Sequence, residues 1–536
     1  MPRTNFARAA CRIAFAVLAV VPATPAAAAV GPLALVRNIA SGTASGAPQT
    51  YAVIGSTVYF SADDGVNGRE LWKSDGTLAG TVMVKNIAFG SVSSNPSNLV
   101  AAGTTLYFRA DADDETGVEL WKSDGTEAGT VRVRDINVGS GSSNPTSITA
   151  IGNTIYFNAE TAASARELWK SDGTEAGTVL VAEISAGTGD ANPRSLAVIN
   201  GTLYFVATEA ANGAELWKSD GTPGGTQIVR DIRSGSLGSS PAGLVAVGNT
   251  LYFSANDGTT GIELWKSDGT IAGTVLVSDL TAGAGSTAFG EAVAYAGQLL
   301  FVATTAASGS ELWKSDGTAA GTVLVKDITP GATGSTPSSL TVSGDKLFLV
   351  ASDATTGREP WVSDGTTAGT VRLKDIHPSA GSFPAGFIPA NGVAYFTADD
   401  GTNGREIWRT DGTEAGTTLL AQTVAGAGSD TPGLAVLAGG LLYLQATSAS
   451  LGTELHAIPV GVPDAVTIAP IGGVTTNPVD FAPITITGID HPVPISIEED
   501  PLEPGSNPVY SVGCTGTFTD SPGLVANGQS VCVRHT

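Results

Sequence analysis

Apolar residues in this chain fall in short runs of four to seven positions, bounded by Gly, Asn, Asp or Pro, and the runs come in sets of four. One set reads Asn98-Leu-Val-Ala-Ala-Gly103, Thr105-Leu-Tyr-Phe-Arg-Ala110, Val118-Glu-Leu-Trp-Lys-Ser123 and Thr130-Val-Arg-Val-Arg-Asp-Ile136. Runs of this kind, rich in Val, Leu, Ile, Thr and aromatics, predict four short strands joined by tight turns. No stretch sustains a 3.6-residue period, so helices are not expected. The set repeats. Eight of the third runs end in Glu-(Leu/Pro/Ile)-Trp and pass into Ser/Thr-Asp-Gly-Thr. They hold every tryptophan of the chain, Trp72, Trp121, Trp169, Trp217, Trp265, Trp313, Trp361 and Trp408, at intervals of 47 to 49 residues. So regular a period means one supersecondary unit copied head to tail.

The faces of these strands choose the architecture. Leu120 and Trp121 are neighbours on a strand and point to opposite sides of it. Leu106, Tyr107 and Phe108 likewise put bulk on both faces. A sheet that is apolar on both sides must be covered on both, and radial stacking of four-stranded blades in a β-propeller does this. A β-helix needs shorter coils, and separate sandwich domains need roughly 100 residues per unit. The expected fold is therefore an all-β propeller over residues 30–460.

The strand inventory predicts how the ring closes. A Val-x-Asp-Ile type strand follows each Trp strand, as at 323–328 and 371–376, and one further copy, Ala34-Leu-Val-Arg-Asn-Ile39, precedes the first set. At the other end Gly452-Thr-Glu-Leu-His456 is a ninth strand of the Trp type, with His456 in place of Trp and no convincing fourth strand after it. Pairing the orphan with the vacancy gives nine complete blades and leaves no open edge. Eight blades with spare strands is the alternative.

The Ser-Asp-Gly-Thr segments predict turns in which Asp caps its own turn and Gly takes a positive φ at little cost. Asp75, Asp124, Asp172, Asp220, Asp268, Asp316, Asp364 and Asp411 then form a ring on one side of the disc, either as structural turns or as ligands. The run Glu70-Leu-Trp-Lys-Ser-Asp-Gly-Thr-Leu-Ala-Gly-Thr81 resembles the bacterial ELWxxDGT tandem-repeat family. The resemblance covers roughly residues 34–460 and departs from the pattern at Pro360, Ile407 and Thr410 and in the degenerate ninth copy. It implies export and tandem repeats and brings no established activity. The Asp-Gly turn is also similar in position to the Asp-box of sialidase propellers, although the arginines and acid/base residues of sialidases have no identifiable counterparts.

Residues 1–29 read as a secretory signal: Arg3, Arg8 and Arg12, an apolar stretch over 13–21, and Ala27-Ala28-Ala29 as a small-residue cleavage site. No later stretch reaches the roughly 20 apolar residues of a membrane span. The net charge is −23, and losing three arginines with the signal leaves about −26. A chain this acidic repels nucleic acid and anionic membrane, attracts cations or basic partners, and keeps a large β surface soluble. Cys11 leaves with the signal, so Cys514 and Cys532 remain as an even pair in an oxidising compartment, either as a disulfide or as two buried thiols. Residues 461–536 form a Pro-rich linker and a tail that resembles part of a small β-sandwich module of secreted bacterial proteins, carried by Thr-Ile-Thr-Gly-Ile489 and a later Asn-Gly-Gln-Ser-Val531 run.

Candidate chemistry is sparse. His377, His456, His491 and His535 have no second His or Cys at metal-ligand spacing, and neither a Gly-x-Ser-x-Gly elbow nor a phosphate-binding Gly-Lys-Ser/Thr loop is present. Calcium is the most credible cofactor, because hard cations favour several carboxylate and carbonyl oxygens in a turning loop. The candidates lie between second and third strands: Asp63 and Asp64, Asp111 with Asp113 and Glu115, Asp257 beside Asn256, and Asp399 and Asp400. Equivalent loops at 160–165 and 304–309 are nearly devoid of acids, so identical sites in every blade are excluded and solvated hairpin loops remain the other reading. The leading expectation is an exported, non-catalytic propeller that acts as an adhesion or interaction scaffold for a protein or glycan at or outside the cell surface. A propeller-type carbohydrate-active hydrolase and a calcium-stabilised surface protein are the alternatives.

Overall fold

A computed structural model describes residues 33–422, 432–448 and 450–460, together with six short strands between 479 and 535. It is all-β, with no helix among the described residues, and forms a ring of nine four-stranded antiparallel blades. The first blade is Gln49–Ile54, Thr57–Asp63, Arg69–Ser74 and Val82–Lys85. The next seven begin at Ser97–Ala102, Thr146–Ile151, Arg194–Ile199, Ala242–Val247, Ala288–Tyr295, Ser338–Ser343 and Ala385–Ala390. First strands lie side by side around the ring, and Gly433–Ala438 of the last blade meets both Ala385–Ala390 and Gln49–Ile54.

Closure is the one expected from the strand inventory. Ala34–Arg37 pairs with Gly452–Pro459, so the ninth blade takes three strands from the end of the repeats and its outer strand from their beginning. The alternative of eight blades with spare strands is not realised.

The core lies in the seams between blades because neighbouring residues on one strand serve two different seams. Phe60 and Trp72 face backward onto Val36, Tyr443 and Leu455 of the ninth blade. Tyr59 and Leu71 face forward with Val84 onto Leu106, Phe108 and Trp121 of the second blade. Each fully buried side chain of this size contributes roughly 1.5–3 kcal/mol.

Cations then tie the seams at their rims. Lys73 Nζ donates to the Gly125 carbonyl of the next blade at 2.9 Å, and the bond recurs from Lys122, Lys170, Lys218, Lys266 and Lys314. On outer strands Arg37 donates to the Thr81 carbonyl at 2.7 Å, and Lys85, Arg134, Lys326 and Lys374 do the same to the next blade. The Arg37 guanidinium also lies 5.8 Å from the Trp72 ring centre, a cation–π distance.

The signal segment 1–29 and Cys514 lie outside the described residues. Cys532 falls in the strand Ser530–His535, which pairs with Pro508–Val512 and places Cys532 opposite Ser511.

Candidate interaction face

The ring has two unlike faces. One carries the tight turns between first and second strands and the Ser-Asp-Gly-Thr turns that lead into the fourth strands. The other carries the loops between second and third strands and the loops that cross from one blade to the next.

On the turn face the Asp, Thr and Ser side chains of the motif bind within the turn itself. Asp75 Oδ1 accepts from the Thr77 N–H at 2.9 Å and from Thr77 Oγ1 at 2.7 Å. Thr77 Oγ1 accepts from the Gly80 N–H, and Thr81 Oγ1 shares a 2.7 Å bond with Ser74 Oγ. The pair of bonds to Asp75 recurs at Asp124, Asp172, Asp220, Asp268, Asp316, Asp364 and Asp411. The hydroxyl and amide of Thr77 hold the Asp75 carboxyl below the usual carboxylate range. Gly80 is obligatory: a Cβ there would lie 2.0 Å from Asp75 Oδ1. The aspartates therefore sit one in each of eight blades, each bound into its own turn.

The opposite face is anchored by a residue that the strand pattern hid. Glu70, at the start of the third strand, is fully buried. It accepts from the amides of Ile87 at 2.9 Å, Ala88 at 3.3 Å and Ser94 at 3.1 Å, and from Ser94 Oγ at 2.6 Å. Glu119, Glu215, Glu311 and Glu359 bind the equivalent crossing loops, each with a serine hydroxyl, and Glu263 uses Thr287. Burial pushes the Glu70 carboxyl up, and the Ser94 hydroxyl and the amides oppose it. In the ninth blade Glu454 accepts from Ile39 and Gly46, so the same device anchors the chain start. A Glu standing before an apolar pair in every copy was the available signal. Its partners lie 17 to 24 residues downstream, where sequence alone does not place them.

The candidate calcium residues lie on this face but are not gathered. Asp63 accepts from the Gly65 amide at 2.8 Å, and Asp64 from the amides of Val66 and Asn67. Asp399 and Asp400 repeat that arrangement with Gly401, Thr402 and Asn403. Asp111 accepts from the Asp113 amide, and Asp113 and Glu115 occupy left-handed backbone at φ of 54° and 66°. Burial raises the Asp257 carboxyl, but bonds from Thr260 and Thr259 outweigh it and bring it to about 2. Among the described residues no three His, Cys, Asp or Glu side chains stand together as metal ligands.

Apolar tips are exposed on this face, as Leu78 and Ile271 are on the turn face. Phe89 is 92% exposed and Val138 81%, both two residues past the isoleucine that ends a fourth run, and Val66 and Leu237 are also open to solvent. Toward the channel, Ala292 stands where other first strands carry Tyr51, Leu99 or Phe387. Phe289 covers Phe301 instead, with ring centres 5.9 Å apart. Beside it a crevice of about 80 Å³ is lined by Gly243, Phe253, Phe289, Ala292 and Phe301.

No family model and no curated protein matches the chain. Among solved structures it is similar to a prolyl endopeptidase, with 14% identity over 69% of this chain and 53% of that one and a TM-score of 0.37. A puromycin hydrolase gives 15% identity over 70% and 62% of the two chains, with a TM-score of 0.36. The β-propeller domain of the Trilobed protease from Pyrococcus furiosus gives 11% over 61% and 97%, with a TM-score of 0.33. The chain thus spans between half and two thirds of the length of the first two. Similarity of this degree carries no chemistry from those proteins to this one.

Proposed function

We propose that this chain is an exported, non-catalytic member of the ELWxxDGT repeat family that binds a protein or glycan through its loop face. The contrast between the faces carries the reading. On the turn face the same hydrogen bonds recur in eight blades, and variation within the Ser-Asp-Gly-Thr turns is concentrated at one exposed tip position, as at Leu78 and Ile271. On the loop face the buried glutamates fix the loop bases, while the loops between second and third strands differ in length and composition from blade to blade. Rigid bases under varied tips are the build of a recognition surface. Phe89 and Val138, nearly free of packing, supply apolar contact area for a partner. The test is a screen of the purified protein on glycan and protein arrays, followed by glycosidase substrates. Binding that Phe89→Ser weakens at least tenfold, without turnover, supports the proposal. Turnover abolished by substituting one loop carboxylate refutes it.

A further inference from the structure

We infer that the loop crossing from the third to the fourth blade is a pH-responsive latch, held by Glu167 and loosened when that carboxyl gives up its proton. The geometry sets this loop apart from its counterparts. Glu119 accepts four bonds from its crossing loop: Ile136, Asn137 and Ser143 amides at 3.0, 3.4 and 2.9 Å, and Ser143 Oγ at 2.6 Å. Glu167 accepts two, from the Ile184 amide at 2.8 Å and the Ser185 amide at 3.0 Å. The residue in the place of the serine is Ala191, which has no hydroxyl. Both glutamates are fully buried, so the missing donors are not replaced by bulk water.

The surrounding charges work in the same direction. Glu183 and Asp190, on the loop itself, both disfavour a negative Glu167. Arg166, the residue just before the strand, is paired with Asp190, and Arg194 on the first strand of the fourth blade also faces Asp190. No cation is therefore committed to Glu167. Burial first, with those acids adding to it against only two amide bonds, pushes its carboxyl from 4.5 up to about 7. A carboxyl raised in the closed loop binds its proton there and releases it when the loop opens. Closure is thus favoured in acid, and the advantage is lost as pH rises from 4.5 through about 7.

Hydrogen exchange tests the latch on the full chain. Protection factors at the Ile184 and Ser185 amides are measured at pH 5 and pH 8, with Arg233 and Ser239, which bind the fully donated Glu215, as an internal control. We expect protection at Ile184 and Ser185 to fall at least tenfold between the two pH values, while the control amides change little. Ala191→Ser returns the hydroxyl and brings the fall down to that of the control. Equal protection at both pH values in the native chain overturns the inference, as does a fall that A191S leaves unchanged. Should Glu167→Gln fold, its protection is independent of pH. Should it not, A191S decides alone.

Discussion

Leu35 sits directly opposite His456 in an antiparallel pair, so a strand from the chain start completes the blade formed at the end of the repeats. The pairing is short and its register shifts between Leu35 and Arg37. Its hold comes instead from what flanks it. Val36 and Ile39 are buried against Leu455, Glu454 accepts from Ile39, Ala40 and Gly46, and Arg37 reaches the first blade. Glu454→Ala leaves buried amides unpaired and is expected to destabilise closure by about 2–4 kcal/mol. Removal of the strand altogether exposes Tyr443 and Leu455. A melting curve of E454A and dye binding by a chain lacking residues up to 46 check both, and an unchanged melting temperature for both variants would discard the closure account.

The buried glutamates and the rim lysines make a sharper comparison, because both bind backbone but in different surroundings. Glu70→Ala orphans buried donors of the crossing loop, and a loss of about 3 kcal/mol or more is expected. Lys73→Met removes one part-buried bond to Gly125 while keeping most of the aliphatic stem, and about 1 kcal/mol is expected. Chemical denaturation of the two variants gives the ratio. Equal losses would mean that the glutamates are not the anchors of the loop face.

The self-capped aspartates Asp257 and Asp353 of the loop face respond to acid in the opposite sense to Glu167. For Asp353, as for Asp257, burial raises the carboxyl and bonds from Thr356 and Thr355 more than offset this, bringing it to about 2. A depressed carboxyl stabilises the loop above the ordinary value of 3.8 and loses that contribution as pH falls through about 2. Carboxyl carbon titration by NMR should therefore place the Asp257 and Asp353 midpoints near 2. Midpoints close to 4 would show that the turns are not closed in solution.

What could be read from the sequence and what could not follow from the same physics. Trp72 and Asp75 recur at a fixed period, and alternation across a strand sends Tyr59 and Phe60 to different seams, so blade number and closure were legible. Glu70 was not, because its partners belong to a loop whose path is settled only by assembly of two blades. Asp64 is a different case: a turn that caps itself and a loop that coordinates a cation draw on the same residues at the same spacing, and here Asp64 accepts from the amides of Val66 and Asn67.

The first strands carry a last expectation. At the second position of seven of them the backbone is left-handed, at Thr50, Asn98, Ser147, Ser195, Gly243, Ser339 and Gly386, where the register of the strand shifts. Two blades already use glycine, which adopts φ of 64° and 67° without a Cβ penalty. Ser147 holds the same conformation at φ 54° with an exposed side chain. A non-glycine residue there costs about 1 kcal/mol or more, partly offset by the greater chain entropy that glycine loses on folding. Ser147→Gly should then stabilise the protein by about 0.5 kcal/mol, and Gly243→Val, a β-branched residue in the same geometry, should destabilise it by about 2 kcal/mol. Melting temperatures of the two variants moving in opposite directions support a strained bulge at the head of these seven first strands. A fall for both would place the cost elsewhere, in packing lost along the channel.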